Sequence, residues 1–296
     1  MIDDLNHIAA TCDNTGRWGH SDMAGTLNLI SAAKRIAAAG LVSEGLVVPI
    51  GKPIDTVQSR SNPRPAWHQM NLDTDRPYAS ADSLHVMTHG FGATHIDALG
   101  HMSLDGLLYN GRRHADAVTG AGLTFAGVEA AAEGIFTRGL LLDVAAARRV
   151  PWLNPDDVVS ASDLDAACQA AGILPEPGDA IIVHVGLEAR EAEQGPEDPE
   201  QRAGLDLSSV RWLREHDAAV YSGDCIEAMP ESSDQLPMPL HQIGLARMGL
   251  HLIDCPTLSI LVATCHKLGR FEFLVVAAPL LIRGGTGSLV NPLAIF

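Results

Sequence analysis

Short apolar segments recur along the chain, and stretches with helical signals separate them. Runs such as LLLDV (140–144) and AIIVHV (180–185) are almost continuously apolar, which is typical of strands covered on both faces. The pattern predicts strands over Gly45–Ile50, Ser83–Thr88, Gly139–Val144, Ala180–Val185, Ala218–Ser222, Leu250–Asp254 and Glu272–Ile282.

Capping residues and glycine stops mark the helices between these strands. Ser160, with Asp163 three residues later, resembles a capping box, and Gly172 is a suitable stop for the helix that follows. The alternation of strand and helix signals favours one α/β domain over residues 1–296. Helices are predicted over Ala32–Ala39, Thr124–Gly134, Leu164–Ala171, Val210–His216 and Pro239–Met248.

Two polar segments interrupt this alternation. Residues 59–81 are rich in Pro, Asn and Asp and carry Trp67, and residues 188–206 are acidic and contain two prolines. Both predict irregular loops, either solvated surface loops or loops that cover an active site.

The charge and the cysteine content of the chain disfavour several classes of protein. The chain has 20 basic and 36 acidic residues, a net charge of −16, which disfavours nucleic acid and anionic membranes as partners. Its five cysteines are odd in number and widely spread, which favours reduced thiols over a disulfide framework. No basic-plus-apolar signal opens the chain, and the apolar run Leu274–Ile282 is too short to span a bilayer. We therefore expect a cytoplasmic protein that acts on small molecules.

The stretch HGFGATHIDALGH (89–101) is the most informative part of the sequence. Residues two apart in a strand point the same way, so His95 and Asp97 would present an imidazole and a carboxylate side by side. Both groups are ligands for divalent metals. His101 follows beyond Gly100, where the chain can turn back, and is a candidate for proton transfer beside the metal.

A metal needs further ligands, and two candidates lie far along the chain. His241 falls in a predicted helix, and Asp254 ends the strand that follows it. A helix residue and a strand-end residue can meet at one rim of a sheet. Each residue also has a purely structural interpretation, as a surface histidine and as a turn residue before Pro256. Without a metal, the same residues would form a hydrogen-bonded polar cluster.

The sequence resembles the cyclase-like metal-dependent hydrolases, a family that includes bacterial kynurenine formamidase and isatin hydrolase. The resemblance starts at RWGHSDMAGTLNLI (17–30), passes through ATHIDALGH (93–101), YNG (109–111), RGLLLDV (138–144), PGDAIIVHVG (177–186) and SGDCIEAMP (222–230), and ends at FEFLVVAAPLLIRGGTGSLVNPLAI (271–295). It implies a mixed central β-sheet flanked by helices, of the swivelling β/β/α type. It also implies a homodimer or a homotetramer.

The family motif reads His-x-Gly-Thr-His-x-Asp-x-Pro-x-x-x-His in outline. By resemblance, His95 and Asp97 bind the metal, and His101 fits the proton-transfer position. His241 matches the distant metal-binding His of the family, and Asp254 stands where the family has Glu. The implied cofactor is a divalent metal, Zn or Mn, and we expect one ion rather than two because the chain lacks one imidazole of the family motif.

The chain departs from that motif at its first metal ligand. The first histidine should lie four residues before His95, and this position is Phe91. His89 lies two residues earlier and could replace it only if the strand is bulged there. We place Phe91, Trp67 and His89 among the residues expected to contact substrate.

The resemblance implies a hydrolase that activates water to cleave an amide or ester carbonyl, including cyclic amides or lactones. The departure at Phe91 leaves an alternative open. In that alternative the chain is a non-catalytic binding protein, or a cyclase or dehydratase, on the same fold with a degraded metal site.

Overall fold

In the computed structural model, the described part of the chain comprises residues 8, 11–72, 75, 76, 78–229 and 236–296. A mixed sheet of nine strands runs through it. In chain order the strands are β1 (Val47–Pro49), β2 (His95–Asp97), β3 (Ile135–Asp143), β4 (Ala180–His184), β5 (Val220–Gly223), β6 (His251–Asp254), β7 (Glu272–Ala277), β8 (Gly287–Leu289) and β9 (Leu293–Ile295).

The spatial order of the strands is β1-β9-β7-β3-β4-β5-β6-β2-β8. The central strands β3, β4, β5 and β6 are parallel. The pairs on either side of them are antiparallel. The sheet is therefore mixed, with a parallel centre and antiparallel wings, and the chain has the predicted α/β class.

The parallel strands are buried on both faces, as their continuous apolar sequence predicts. Leu140 and Ile181 pack into one cluster, whereas Leu141 and Ile182 pack into the other. The helices that flank the sheet are α1 (Ala32–Ala39), α2 (His114–Ala117), α3 (Val144–Ala147), α4 (Ala161–Ala171), α5 (Leu187–Gln194), α6 (Leu207–Glu215), α7 (Pro239–Ile243) and α8 (Ser259–Leu268).

Several shorter elements complete the fold. 3₁₀ turns cover Gly25–Leu29, Tyr109–Gly111 and Val128–Ala131, and a π-helical turn covers Gly244–Met248. Two-stranded pairs join Trp67–Asn71 to Ala81–His85, Leu107–Leu108 to Arg112–Arg113, Val118–Thr119 to Gly122–Leu123, and Val158–Val159 to Gly204–Leu205. No helix in the described ranges is both long and apolar enough to cross a membrane.

Some predicted elements differ from the structure. The predicted helix over 124–134 is wrong, because this segment holds only the short 3₁₀ turn Val128–Ala131 between Gly127 and Gly134. The predicted strand over 83–88 ends at His85 and belongs to an exposed hairpin, not to the central sheet. The strand predicted to reach Ile282 ends at Ala277, two residues before Pro279.

The two segments predicted to be irregular are partly regular. Residues 59–81 contain the strand Trp67–Asn71, and residues 188–206 contain most of α5. Residues 73, 74 and 77 of the first segment lie outside the described residues. The acid-rich sequence of α5 hides its helical character, because its apolar positions are few.

A close approach of two glycines fixes the chain where β6 begins. Gly25 has φ +57°, and a Cβ on it would lie 2.1 Å from the carbonyl oxygen of Gly249. The amide of Thr26 donates to the same oxygen at 2.8 Å. Only glycine fits this contact, which holds the turn Gly25–Leu29 against the segment leading into β6.

Candidate metal centre

The candidate centre forms where β2 and β6 lie side by side. Their antiparallel register sets Asp254 opposite His95. Asp97, two residues along β2, faces the same way as His95, and its Oδ1 lies 3.6 Å from His95 Nε2. All three side chains are buried. The structure thus places His95 and Asp97 on one strand and brings the distant Asp254 to the same place.

His241 enters this cluster from α7, which begins at Pro239, a residue that suits the first turn of a helix. His241 Nε2 lies 3.0 Å from Asp254 Oδ2 and 3.5 Å from Asp97 Oδ2. His95 Nε2 lies 4.0 Å from Asp254 Oδ2. Four ligand atoms that bind one ion in a tetrahedral site lie about 3.4 Å from one another, and the observed separations are close to this distance.

The hydrogen bonds behind the imidazoles orient their free nitrogens into the cluster. His95 Nδ1 lies 3.0 Å from the carbonyl oxygen of Ala93, and His241 Nδ1 lies 2.8 Å from Glu227 Oε2. Each acceptor fixes a proton on Nδ1 and directs Nε2 of the ring into the cluster, where His241 Nε2 is hydrogen-bonded to Asp254 Oδ2 at 3.0 Å. Glu227 is not among the site residues predicted from the sequence, and it lies 14 residues before His241 in the segment that follows β5.

Three buried carboxylate oxygens at the centre of the cluster lack a hydrogen-bond partner among the described residues. They are both oxygens of Asp97 and the Oδ1 of Asp254. Burying a charged oxygen without a partner is costly, and such groups are paired or coordinate a metal in folded proteins. The donor set of imidazoles and carboxylates therefore fits a divalent ion.

His89 joins the same cluster, although it lies outside any strand. His89 Nδ1 lies 2.9 Å from Asp97 Oδ1 without hydrogen-bond geometry, and His89 Nε2 lies 2.9 Å from the Thr286 hydroxyl. Among the described residues, two sets of side chains could hold a metal, and both contain Asp97. The first set is His89, His95 and Asp97, and the second is Asp97, His241 and Asp254. The irregular path of residues 86–94 brings His89 close, whereas a regular strand would not.

His101 stacks directly on His89, with ring centroids 3.6 Å apart and planes 2° from parallel. Burial lowers the pKa of His101 to about 4, although the Asp97 carboxylate opposes this shift. The imidazole is therefore neutral at neutral pH and can accept a proton. The structure places it beside Asp97, where the sequence predicted a proton-transferring group.

The charges of the cluster also shift the pKa values of its central members. Burial would raise the pKa of Asp97, but the His89 imidazole 2.9 Å from Oδ1 and the other nearby imidazoles hold it below the ordinary range. Burial would lower the pKa of His241, but Glu227 and Asp254 hold it well above 6.5. Asp97 is therefore ionised and ready to ligate, and metal binding would have to displace a proton from His241.

The threonine of the motif fixes the end of β6. Thr94 donates its hydroxyl to the carbonyl oxygen of Cys255 at 2.6 Å and accepts the amide of Lys52 at 2.7 Å. Cys255 itself has a positive φ of 57°, which is strained for a residue with a side chain. These contacts hold the chain in the position that directs Asp254 into the cluster.

A cavity of about 250 Å³ borders the cluster. Apolar side chains form much of its wall, namely Phe91, Ile226, Met229 and Met238. Trp67 does not line this cavity within the described part of the chain. It lies on the exposed hairpin with 53% of its surface accessible. Of the three residues expected to contact substrate, the structure therefore brings only Phe91 and His89 to the site.

The fold is thus a mixed α/β sheet that buries, at a strand end, a cluster of imidazoles and carboxylates that could hold a metal ion. The family model for the putative cyclases matches residues 7–228, most of the chain. The chain therefore belongs to the putative cyclase family, which confirms the predicted resemblance. No curated protein matches it significantly.

Solved structures show the same fold. A protein described as a novel cyclase is 27% identical with a TM-score of 0.84, and the match covers 96% of this chain and 99% of that one. An isatin hydrolase bound to the product analogue thioisatinate is 16% identical with a TM-score of 0.61, covering 89% and 98%. A predicted metal-dependent hydrolase from Bacillus stearothermophilus is 15% identical with a TM-score of 0.53, covering 84% and 97%.

Proposed function

We propose that the chain is a metal-dependent hydrolase that activates water to cleave the amide or ester carbonyl of a small molecule. The observation that carries the proposal is the convergence of buried donors from β2, α7 and β6, where three carboxylate oxygens lack a hydrogen-bond partner among the described residues. The structural neighbours, an isatin hydrolase and a predicted metal-dependent hydrolase, support the same reaction class.

We assign the metal to His95, Asp97, His241 and Asp254, as one divalent ion, Zn²⁺ or Mn²⁺. When bound, such an ion supplies Lewis acidity that lowers the pKa of water and polarises a carbonyl oxygen. Glu227 and the Ala93 carbonyl hold the two histidine ligands in the tautomer that exposes Nε2. Cyclic amides and lactones are included in the proposed substrate class.

His101 carries the proton in this proposal. Its neutral ring takes a proton from water as the carbonyl is attacked, and then gives that proton to the leaving nitrogen or oxygen. The parallel stack with His89 keeps the imidazole plane fixed beside Asp97. The reaction thus needs no other proton carrier on the protein.

The apolar wall would hold substrate and exclude bulk water from the cluster. Excluding water strengthens the electrostatic interactions inside a site. Phe91 and His89 remain our proposed substrate contacts, whereas Trp67 lies on the exposed hairpin. We further propose that residues 1–296 form a single catalytic domain that works in the cytoplasm as a homodimer or homotetramer.

Removal of the metal tests the proposal. After dialysis against dipicolinate, we expect hydrolysis of 4-nitrophenyl acetate and of a cyclic amide to fall by about 100-fold or more, because the Lewis acid is lost. Adding Zn²⁺ or Mn²⁺ should restore the rate, while Mg²⁺ added at the same concentration serves as the control. Hydrolysis that survives metal removal at its full rate would contradict the proposal.

A further inference from the structure

A second cavity, of about 70 Å³, adjoins the one that borders the metal centre. The two share Phe91, Arg202, Ile226 and Cys255 in their walls, so they meet along these residues. The second cavity extends away from the metal ligands toward the start of α5 and the chain that follows β6. It is therefore placed to receive a part of the substrate that the reaction does not change.

Phe91 is fixed where the two cavities meet. Its carbonyl oxygen accepts a hydrogen bond from Lys52 Nζ at 3.0 Å, and the Arg202 guanidinium lies 5.4 Å from the centre of its ring. Phe91 thus forms a wall between the cavities and an apolar surface in both. With Phe at this position, the ring that lines both cavities is apolar and has no nitrogen that could ligate a metal.

The acidic groups that line the second cavity are already bound to protein. Glu188 accepts the amides of residues 258 and 259, at 2.6 and 2.8 Å. Asp224 accepts the three amides of residues 185–187. Glu197 pairs with Arg190 at 2.9 Å. These carboxyl groups therefore maintain the loops around the cavity and have little capacity left for a ligand.

The two basic groups of the wall are engaged as well. Arg202 donates to the carbonyl oxygens of Pro199 and Glu227 and to the Glu227 carboxylate, and Lys52 donates to Phe91. The bond to Phe91 uses one of the three donors of the Lys52 ammonium, but four acidic side chains outnumber the two basic ones in this wall, which disfavours an anionic ligand. Its unengaged surface is apolar and includes Leu187, Ile226 and Pro256.

We infer that the second cavity binds the uncharged apolar part of the substrate while the scissile carbonyl lies at the metal centre. This inference rests on the proposed hydrolase function and specifies its substrate class as esters or amides with a hydrocarbon or aryl group several atoms long. An acidic group at the far end of this hydrocarbon or aryl group is disfavoured. Four acidic side chains line the cavity against two basic ones, and the guanidinium of Arg202 already donates to Pro199 and Glu227.

A matched series of esters tests the inference in the unaltered enzyme. The probes are 4-nitrophenyl acetate, 4-nitrophenyl hexanoate and the 4-nitrophenyl monoester of adipic acid, which is as long as the hexanoate but ends in a carboxylate. We expect kcat/KM for the hexanoate to exceed that for the acetate by about 10-fold or more, because four further methylenes are buried. The adipate monoester should gain no such advantage. Equal values for acetate and hexanoate, or equal values for hexanoate and adipate, would overturn the inference.

Leu187→Trp probes the second cavity directly, because Leu187 lines it but not the metal cavity. The larger ring should reduce the hexanoate-to-acetate ratio to near one. Leu281→Trp places the same ring on a leucine that is 73% exposed and should leave the ratio as in the wild type. An unchanged ratio in folded Leu187→Trp protein would contradict the assignment of the cavity. The comparison of the three esters in the wild-type enzyme needs no variant, so it tests the inference even if Leu187→Trp does not fold.

Binding separates this inference from the proposed function. Calorimetry on the metal-loaded protein would compare acetohydroxamic acid, hexanohydroxamic acid and the monohydroxamic acid of adipic acid. We expect the hexanoyl compound to bind about 10-fold or more tighter than the other two. That preference without ester turnover would support the cavity and contradict the hydrolase. Turnover with equal or undetectable binding of the three compounds would support the hydrolase and overturn the cavity assignment.

Discussion

Replacing His101 with alanine should lower kcat by about 100-fold or more while the metal content stays at the wild-type level. The expected loss is large because His101 is our proposed proton carrier, and its neutral, half-buried imidazole stacks on His89 beside Asp97. The metal should remain because His101 belongs to neither set of possible ligands. Steady-state kinetics and elemental analysis of the same preparation measure both quantities.

His114→Ala is the matched control for this change. His114 is an exposed histidine at the start of α2, so its removal should alter neither turnover nor metal content. If His101→Ala keeps more than half of the wild-type kcat, His101 does not transfer the proton. If the His101→Ala variant loses its metal, the role of His101 is to keep the metal bound rather than to transfer the proton.

Replacing Asp97 with asparagine should remove both the metal and the turnover. Asp97 belongs to both sets of possible ligands, it is 1% exposed, and its two oxygens lack hydrogen-bond partners among the described residues. Asparagine keeps the shape but not the charge. We expect metal affinity to fall by more than about 100-fold. Loss of a residue that only hydrogen-bonds to a metal ligand already lowers metal affinity by about 10–100-fold. Titration of chelator-treated protein with Zn²⁺ or Mn²⁺ measures the change.

Asp82→Asn provides the control for Asp97→Asn. Asp82 lies on the exposed hairpin and accepts a hydrogen bond from His68 at 2.7 Å, so it is a carboxylate beside an imidazole far from the cavity wall. Its replacement should leave metal affinity unchanged. Wild-type affinity in the Asp97→Asn protein would show that Asp97 is not a ligand.

Local pattern predicted those parts of the site that depend on regular structure. The period of two along β2 places His95 and Asp97 on one side, and the apolar run of β6 ends at Asp254. His241 was predicted on a helix and lies on α7. In each case the geometry of one element and its position in the sheet decide where the side chain lies.

The remaining parts depend on contacts between distant segments, which a periodic pattern does not encode. His89 reaches Asp97 because an irregular segment packs beside Thr286, almost two hundred residues away. Glu227 orients His241 from a loop. Trp67 was expected near substrate on composition alone, but its strand pairs only with its hairpin partner.

The helix predictions failed where sequence signals conflicted. Residues 124–134 contain a capping threonine and several alanines, but Gly127 and Gly134 leave room for only one 3₁₀ turn. The helix α5 was missed because its sequence, LEAREAEQ, is charged and is followed closely by prolines. Tertiary contacts stabilise α5, including the Asp224 carboxylate that accepts the amides at its start.

The metal content of the purified wild-type protein tests the central claim most directly. Elemental analysis, before and after refilling with Zn²⁺ or Mn²⁺, should give about one divalent ion per chain, because imidazoles and carboxylates with unpartnered oxygens already converge at the centre. A content below ~0.2 ions per chain that neither metal restores would contradict the proposed metal centre and, with it, the proposed hydrolase.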